Sequence, residues 1–321
     1  MMTTTTTTAH TNIALIKYWG KKDEHLHLPY TDSLSLTLDG YYSVTTTSFI
    51  QAPNDQIFIN HHPASPEFFS RTEKFLNLIR KINHSSQKIE VKTDNFVPTA
   101  AGLASSASGF AALAGSLAKL FQMSLTKTEL SALARLGSGS ATRSIFGGFV
   151  QWHQGHNSQT SIAEPILEKP TFPIRLLSVV INNQAKKISS TTGMQQAVAT
   201  SPFYPQWPHI VQQDLQHILK AIKNQDLEQI GAIAEANCLA MHALNWSARP
   251  AFSYFEDTTY QVIEAVKKLR QRGYLAYYTI DAGPNVKIIT TSKDLLPIKE
   301  YLQTNFPQAQ MTALKPGPGL Q

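Results

Sequence analysis

The spacing of apolar and polar positions changes period along the chain, and each change marks an element. Leu34 to Leu38 and Tyr41 to Phe49 alternate with period two on either side of Asp39-Gly40. That predicts a hairpin, because Asp-Gly tolerates positive φ at both central turn positions. The threonine run Thr3 to Thr8 has high strand propensity and predicts the start of an edge strand. Asp55 to Asn60 and Lys88 to Lys92 read as further strands. Between them, Ser65-Pro66-Glu67 has the form of an N-cap, a first-turn proline and a first-turn acid. Phe68, Thr72, Phe75, Leu76, Ile79 and Ile82 follow at helical spacing. A Gly/Ser/Ala segment from Pro98 to Gly109 leads into a second helix that runs to about Phe121. Thr126-x-x-Glu129 is a capping box for a third helix ending near Gly137, and Phe149 to His153 reads as a strand.

The texture changes at Pro165 to Pro173, where three prolines and few apolar neighbours predict a linker. Beyond it, the continuous apolar run Leu176 to Ile181 predicts a buried strand. Long helical patterns cover His209 to Lys223, Leu227 to Leu244 and Phe255 to Arg270. Strands Leu275 to Ile280 and Val286 to Thr291, a helix near Leu296 to Thr304 and a strand near Met311 to Leu314 complete the order. Strand, helices, strand, strand, helix, strand is the ferredoxin-like sequence of elements. The expected architecture is α+β, with domains over residues 1–172 and 173–321 and a cleft between them, where ligands often bind.

Composition narrows the function. With 42% apolar residues among 321, the chain has enough material for a full core, and intrinsic disorder is excluded. A single cysteine, Cys238, excludes an intramolecular disulfide framework and a Cys-based zinc site, and its place in an apolar helix suits the core better than a nucleophile. The net charge of +6 comes from scattered Lys and Arg without interleaved aromatics, which favours a small anionic ligand over nucleic acid. The uncharged stretch Asn95 to Ala118 is long enough to span a bilayer, yet its prolines, glycines and serines argue against a membrane segment. No basic n-region precedes an apolar core, so a cytoplasmic protein is expected. The histidine pairs His25/His27 and His61-His62 lack the i, i+4 spacing of a helical metal site, and His153/His156 sit around a strand end.

Five segments carry candidate chemistry. In Pro98-Thr-Ala-Ala-Gly102-Leu103-Ala104-Ser105-Ser106-Ala-Ser108-Gly109, small residues let a ligand approach helix-start N–H groups and serine hydroxyls, as in a phosphate cradle. It is no Walker A loop, and the alternative is a tightly packed Ala/Ser helix. Gly137-Ser138-Gly139-Ser140-Ala141-Thr142-Arg143 offers a second anion cradle with a planar guanidinium fork, or merely a C-cap followed by an N-cap. Asn12 to Lys22 is a strand that ends in Lys17-Tyr18-Trp19-Gly20-Lys21, a cluster of cations and aromatics at a strand end, or, as charge alone favours, a strand-to-loop turn with solvated lysines. Lys186-Lys187-Ile-Ser189-Ser190-Thr191-Thr192-Gly193-Met194 adds donors, with a polar loop as the plain alternative. Asp281, at the end of an apolar strand beside Gly283-Pro284, reads either as a carboxylate that orients or deprotonates a hydroxyl or as a turn cap.

Taken together and in this order, Asn12-Ile-Ala with Lys17 to Lys21, Gly102-Leu-Ala-Ser105-Ser106, Ser138 to Arg143, Ser189-Ser190-Thr191 with Gly193-Met194, and Asp281-Ala-Gly-Pro-Asn285 resemble the diphosphomevalonate decarboxylase family of the GHMP kinase superfamily. Kinases of that superfamily usually carry Gly-Leu-Gly-Ser-Ser; Gly102-Leu103-Ala104-Ser105-Ser106 is similar to the decarboxylase branch. The resemblance implies a ribosomal-S5-like N-terminal domain and a ferredoxin-like C-terminal domain, with ATP and Mg2+ as cofactors and (R)-5-diphosphomevalonate as substrate. Phosphorylation of its tertiary 3-hydroxyl would be followed by loss of phosphate and CO2, giving isopentenyl diphosphate. By the same resemblance Asp281, Arg143, Ser106 and Lys17 are catalytic, with Asp281 at the 3-hydroxyl as base or orienter and Arg143 on the carboxylate. Tyr18, Trp19, Gly20, Lys21, Arg71, Ser138, Gly139, Ser140, Ala141, Thr142, Ser190 and Thr191 would line the substrate pocket. Gly102, Leu103, Ala104, Ser105 and Ser106 would hold the ATP phosphates, with Lys186 or Lys187 as a further cation. No carboxylate ligand for Mg2+ is identified, and a homodimer is expected. The competing readings are a phosphomevalonate decarboxylase, a mevalonate 3-kinase, and a non-catalytic nucleotide-binding protein on the same fold.

Overall fold

A computed structural model describes residues 3–97, 105–182, 184 and 187–321, without the side chain of Ser105. Gly102, Leu103, Ala104 and Lys186, expected at the nucleotide, lie outside the described residues.

The first half of the chain contributes β1 (Thr4–Ile16), β2 (Lys21–Asp23), β3 (Leu28–Pro29), β4 (Ser33–Ile50), β5 (Gln56–Ile59), β6 (His62–Pro63), α1 (Pro66–Ile82), β7 (Lys88–Phe96), α2 (Ser105–Leu120), α3 (Lys127–Gly137), β8 (Phe149–Trp152) and β9 (Ala163–Leu167). The second contributes β10 (Ile174–Val180), α4 (Ser190–Thr200), α5 (Trp207–Lys223), α6 (Leu227–Trp246), α7 (Asp257–Gln271), β11 (Tyr277–Ile280), β12 (Val286–Thr291), α8 (Leu295–Asn305) and β13 (Gln310–Leu314).

The hairpin expected at Asp39-Gly40 does not form. β4 is one strand of 18 residues, paired with β1 along its length, while β7 and β8 share its other edge. Between the pairs His10↔Tyr42 and Asn12↔Thr37, β1 spends only Thr11 while β4 spends Leu38 to Tyr41. The Asp-Gly pair makes a bulge, and Gly40 uses its left-handed φ of +98° there instead of in a chain reversal. The period-two pattern is the same in both cases; the partners along both edges of β4 decide between them. The bulge is also tied from outside: Asp39 N–H donates to Lys315 O (2.8 Å) and Gly317 N–H to Thr37 O (2.8 Å).

The threonine run is the start of β1, but its free edge is partly covered. Thr8 exchanges two 2.9 Å backbone bonds with Gln321. Two threonines of this sheet bond to α2, the half-buried Thr5 through Oγ1 to Ser116 O (2.8 Å) and the buried Thr47 through Oγ1 with Ser116 Oγ (2.8 Å).

The second sheet has order β11-β12-β10-β13, all antiparallel, the ferredoxin-like arrangement of a βαββαβ chain. Two segments depart from the sequence reading. Part of the proline-rich linker is β9, an edge strand on β8, where Pro165 needs no ladder donor. Ser190 to Met194, for which a polar loop is the plain alternative in the sequence, is the first turn of α4, capped by Ser189 Oγ accepting from Thr192 N–H at 3.0 Å. A continuous apolar core joins the halves, with Ile13, Leu36 and Phe149 from the first sheet in one cluster with Trp207, Met241 and Tyr277 from the second half. It fixes the ends of β1 and β11 side by side, so Lys17 and Asp281 emerge together at the floor of the cleft.

Candidate active site

The cleft encloses a cavity of about 690 Å³. Its floor is the ion pair between Lys17 Nζ and Asp281 Oδ1, at 2.6 Å, with the lysine side chain 1% exposed and the aspartate 28%. Lys17 Nζ also donates to Ala14 O (3.0 Å), which turns the side chain back along the end of β1. The aspartate therefore faces the cavity while the ammonium lies beneath it.

One wall is the 3-10 turn Gly139–Ile145 that follows α3. Arg143 is buried there, donating from Nη1 to Ser33 Oγ (2.7 Å) and from Nε to Asn12 Oδ1 (3.3 Å), with its guanidinium 5.7 Å from the Trp152 ring centroid. Burial lowers its pKa to about 10, against the raising influence of Asp281, so the group stays charged at neutral pH. Asn12 joins β1 to the same turn by donating to Ser140 O (3.1 Å) and Ser144 Oγ (2.8 Å). Ser138 donates to Ser106 Oγ at 3.4 Å and lies 3.3 Å from Ser140 Oγ, so three hydroxyls from two segments line one patch. Tyr18 packs edge-on against Trp152, and its hydroxyl has no hydrogen-bond partner among the described residues, with burial holding its pKa above the ordinary range.

The mouth carries the remaining charge. Arg71, on α1, donates twice to Gly137 O (3.3 and 3.0 Å) and lies over the Phe110 ring. Lys21 pairs with Glu24 at 3.0 Å. Opposite them stands the N-terminus of α4, with Ser189, Ser190, Thr191 and Thr192 on the cavity, where backbone N–H groups and the helix dipole favour an anion. Four cations, Lys17, Lys21, Arg71 and Arg143, thus face two carboxylates, Glu67 and Asp281. His27, whose Nδ1 lies 2.9 Å from Arg135 O, has its pKa lowered by burial and adds no charge at neutral pH.

The structure brings Lys17, Tyr18, Trp19, Lys21, Arg71, Ser106, Ser138, Gly139, Ser140, Arg143, Ser190, Thr191 and Asp281 to one cavity. Three expected substrate residues serve it from behind. Ala141 and Thr142 are fully buried, and Thr142 Oγ1 closes the turn on Gly139 O at 2.7 Å. Gly20 is a backbone requirement: its φ is +114°, and a Cβ there would lie 1.8 Å from the Tyr204 hydroxyl. That hydroxyl donates to Trp19 O at 2.9 Å. Lys187 is exposed and lines no part of the cavity. Sequence reasoning missed His27, Glu67 and Met241 as lining residues. Only Glu67 had a signal, its i, i+4 spacing to Arg71 on a predicted helix.

Among the described residues no group of three or more His, Cys, Asp or Glu could hold a metal ion, and no helix is long and apolar enough to cross a membrane. The fold and the cleft define a two-domain, GHMP-kinase-like α+β enzyme acting on a small anion. Residues 9–163 match the diphosphomevalonate decarboxylase-like N-terminal domain, and residues 176–316 the mevalonate 5-diphosphate decarboxylase C-terminal domain. The diphosphomevalonate decarboxylase of Candida albicans is 38% identical over 299 residues, covering 88% of this chain and 82% of its own. The mevalonate diphosphate decarboxylase of Staphylococcus aureus superposes with a TM-score of 0.96 at 41% identity, over 100% of this chain and 98% of that one. A structure described as MDDEF in complex with MVAPP, AMPPCP and magnesium superposes with a TM-score of 0.95 at 42% identity, over 100% and 99%. The chain belongs to the diphosphomevalonate decarboxylase family.

Proposed function

We infer that this chain carries out the ATP-dependent decarboxylation of (R)-5-diphosphomevalonate, with the following residues in the following roles. The observation that supports the reading most strongly is the Lys17–Asp281 pair on the cavity floor, with Arg143 charged and buried beside it. Asp281 accepts the proton of the 3-hydroxyl as its oxygen attacks the γ-phosphorus of ATP, and ADP leaves. Lys17 holds Asp281 in place through a charge-assisted bond. A tertiary hydroxide is a poor leaving group and phosphate a good one. Cleavage of the C3–O bond then releases phosphate, while the electrons of the C1–C2 bond form the C2–C3 double bond and C1 departs as CO2. Arg143 holds the C1 carboxylate in line for that step, a positioning role.

Lys21, Arg71 and the α4 N-terminus receive the diphosphate, for which cations and helix-start N–H groups are the fitting chemistry. Ser106, in the first turn of α2, serves the ATP phosphates together with the Ser105 backbone. Magnesium fits here only as the companion of a nucleotide: the described residues offer hydroxyls and the separate Glu67 and Asp281 carboxylates, and a small hard cation commonly keeps phosphate and water ligands. It would neutralise phosphate charge.

The test is the stoichiometry. Purified protein given ATP, Mg2+ and 1-carbon-labelled diphosphomevalonate should release ADP, phosphate and labelled CO2 in equal amounts. ADP without CO2 would move the reading to a 3-kinase, and CO2 from 5-phosphomevalonate alone would change the substrate. The family resemblance also points to a cytoplasmic homodimer, which light scattering on the purified protein and fractionation of the source cell would check.

A further inference from the structure

One buried stripe of α6 takes no part in the chemistry above, yet it holds both members of the floor pair. Asn237, Cys238 and His242 are 0% exposed and Met241 2%, and their spacing places them on one face. Asn237 Oδ1 accepts from Lys17 N–H at 2.8 Å. Its amide nitrogen donates to Asp214 Oδ2 at 2.8 Å, which fixes the orientation of the amide. The next two polar members of the stripe grip the residue before Asp281. Ile280 N–H donates to Cys238 Sγ at 3.1 Å, and the thiol returns a bond to Ile280 O at 3.3 Å. His242 Nε2 lies 3.1 Å from the same carbonyl.

A carbonyl oxygen only accepts, so Nε2 carries the hydrogen. Burial lowers the His242 pKa to about 3, which keeps the ring neutral at working pH. β11 ends at Ile280, and Asp281 is the first residue of the following turn, with Gly283 N–H donating to Asp281 O at 2.8 Å. The end of a strand is free to tilt unless its last peptide is held. Here one carbonyl takes bonds from two side chains of a single helix, and that helix also holds the Lys17 backbone.

We propose that His242 is a positioning residue for Asp281: its Nε2–H, with the Cys238 thiol, pins the Ile280 carbonyl so that the following carboxylate stands against Lys17 and under the substrate hydroxyl. The inference rests on the role given to Asp281 above. It requires the hydrogen bond of the imidazole and not its charge. Gln places an amide nitrogen near the Nε2 position, whereas Leu fills the space without a donor.

The experiment compares wild type, His242→Gln, His242→Leu, Asp281→Asn and the double variant His242→Leu/Asp281→Asn, each well below its melting temperature. ATP-analogue binding reports the folded fraction. A misplacement of about 1 Å at a reacting group costs on the order of 10²-fold, so His242→Leu should lower kcat about 10- to 100-fold with little change in KM. His242→Gln should recover most of that loss. Adding His242→Leu to Asp281→Asn should cost less than about 3-fold more, because the histidine acts through the aspartate. Normal kcat in His242→Leu with only a lower melting temperature, a Gln variant as impaired as the Leu variant, or losses that multiply in the double variant would each overturn the inference. If the Leu variant does not fold, His242→Asn, whose amide stops short of Ile280 O, takes its place with the same expectations. Near-normal turnover in Asp281→Asn would overturn the reading of Asp281 as well.

Discussion

Asp281→Asn separates the two tasks of the floor pair. The substitution keeps size and one acceptor but leaves the Lys17 ammonium, 1% exposed, with no counter-charge. Removing one partner of a buried pair costs about 3–5 kcal/mol. The carboxylate here is 28% exposed and the amide oxygen still accepts from Nζ, so the smaller figure of about 2 kcal/mol is the expected loss on urea denaturation. Turnover should fall at least ~10²-fold, the lower range for losing a general base, which is about 2.7 kcal/mol of transition-state stabilisation at 1.36 kcal/mol per decade. Nucleotide affinity should barely change. The companion variant Lys17→Met/Asp281→Asn leaves neither charge buried. It should regain most of the lost stability without regaining activity. The assays are urea titration by circular dichroism and coupled ADP release. Turnover of Asp281→Asn near wild type would refute the chemical role. A double variant no more stable than Asp281→Asn would refute the account of the buried charge.

Arg143→Lys keeps a cation but cannot reach Ser33 and Asn12 together, and it loses the guanidinium plane facing Trp152; activity should fall about 10²-fold with ATP-analogue binding unchanged, and wild-type kinetics would make Arg143 a structural cation. Gly20→Ala forces a side chain at φ +114° into the Tyr204 hydroxyl, so urea denaturation should show a loss of about 2 kcal/mol or more, and an unchanged midpoint would refute the steric reading. His153 has its pKa pushed up to about 9, chiefly by its bond to Asp32, with Glu164 adding to it. Because the folded value lies above the unfolded one of 6.5, its contribution to stability is full below pH 6.5, declines as pH rises and is gone above about 9. The stability gap between wild type and His153→Gln should follow that course across pH 6 to 10, and a gap independent of pH would refute it.

Much of the site was legible because its residues sit at element ends, where the apolar pattern stops abruptly. Lys17 follows the last apolar residue of β1, Asp281 the last of β11, and the Ser138 to Arg143 turn follows α3. What failed were places where tertiary partners override local signals. Asp39-Gly40 satisfies a turn and a bulge equally, and only the long shared edges of β4 select the bulge. Ser190 to Gly193 has poor helix propensity. α4 forms there because Ser189 caps it and Gly193 lets Tyr254 pack closely, a Cβ at Gly193 lying 2.5 Å from the tyrosine hydroxyl. β9 was hidden by its proline, which an edge strand tolerates. His27 reaches the cavity through the short β2–β3 hairpin, held by Arg135, whose guanidinium donates to Leu26 O at 2.9 Å; nothing local announces that contact.

The return of residues 315–321 to the first sheet has a mechanical consequence. The second domain is joined to the first covalently through the stretch between β9 and β10, and a second time by hydrogen bonds after β13, where residues 315–317 bind the β4 bulge and Gln321 binds Thr8. A body hung from one string swivels freely; a body hung from two points keeps only the rotation about the line through them. The second attachment and the apolar core shared by the halves together oppose rotation of one half on the other, which keeps the α4 N-terminus against the same wall. A cut between residues 314 and 315 would leave the β9–β10 stretch and the shared core as restraints, with Lys17, Arg143 and Asp281 untouched.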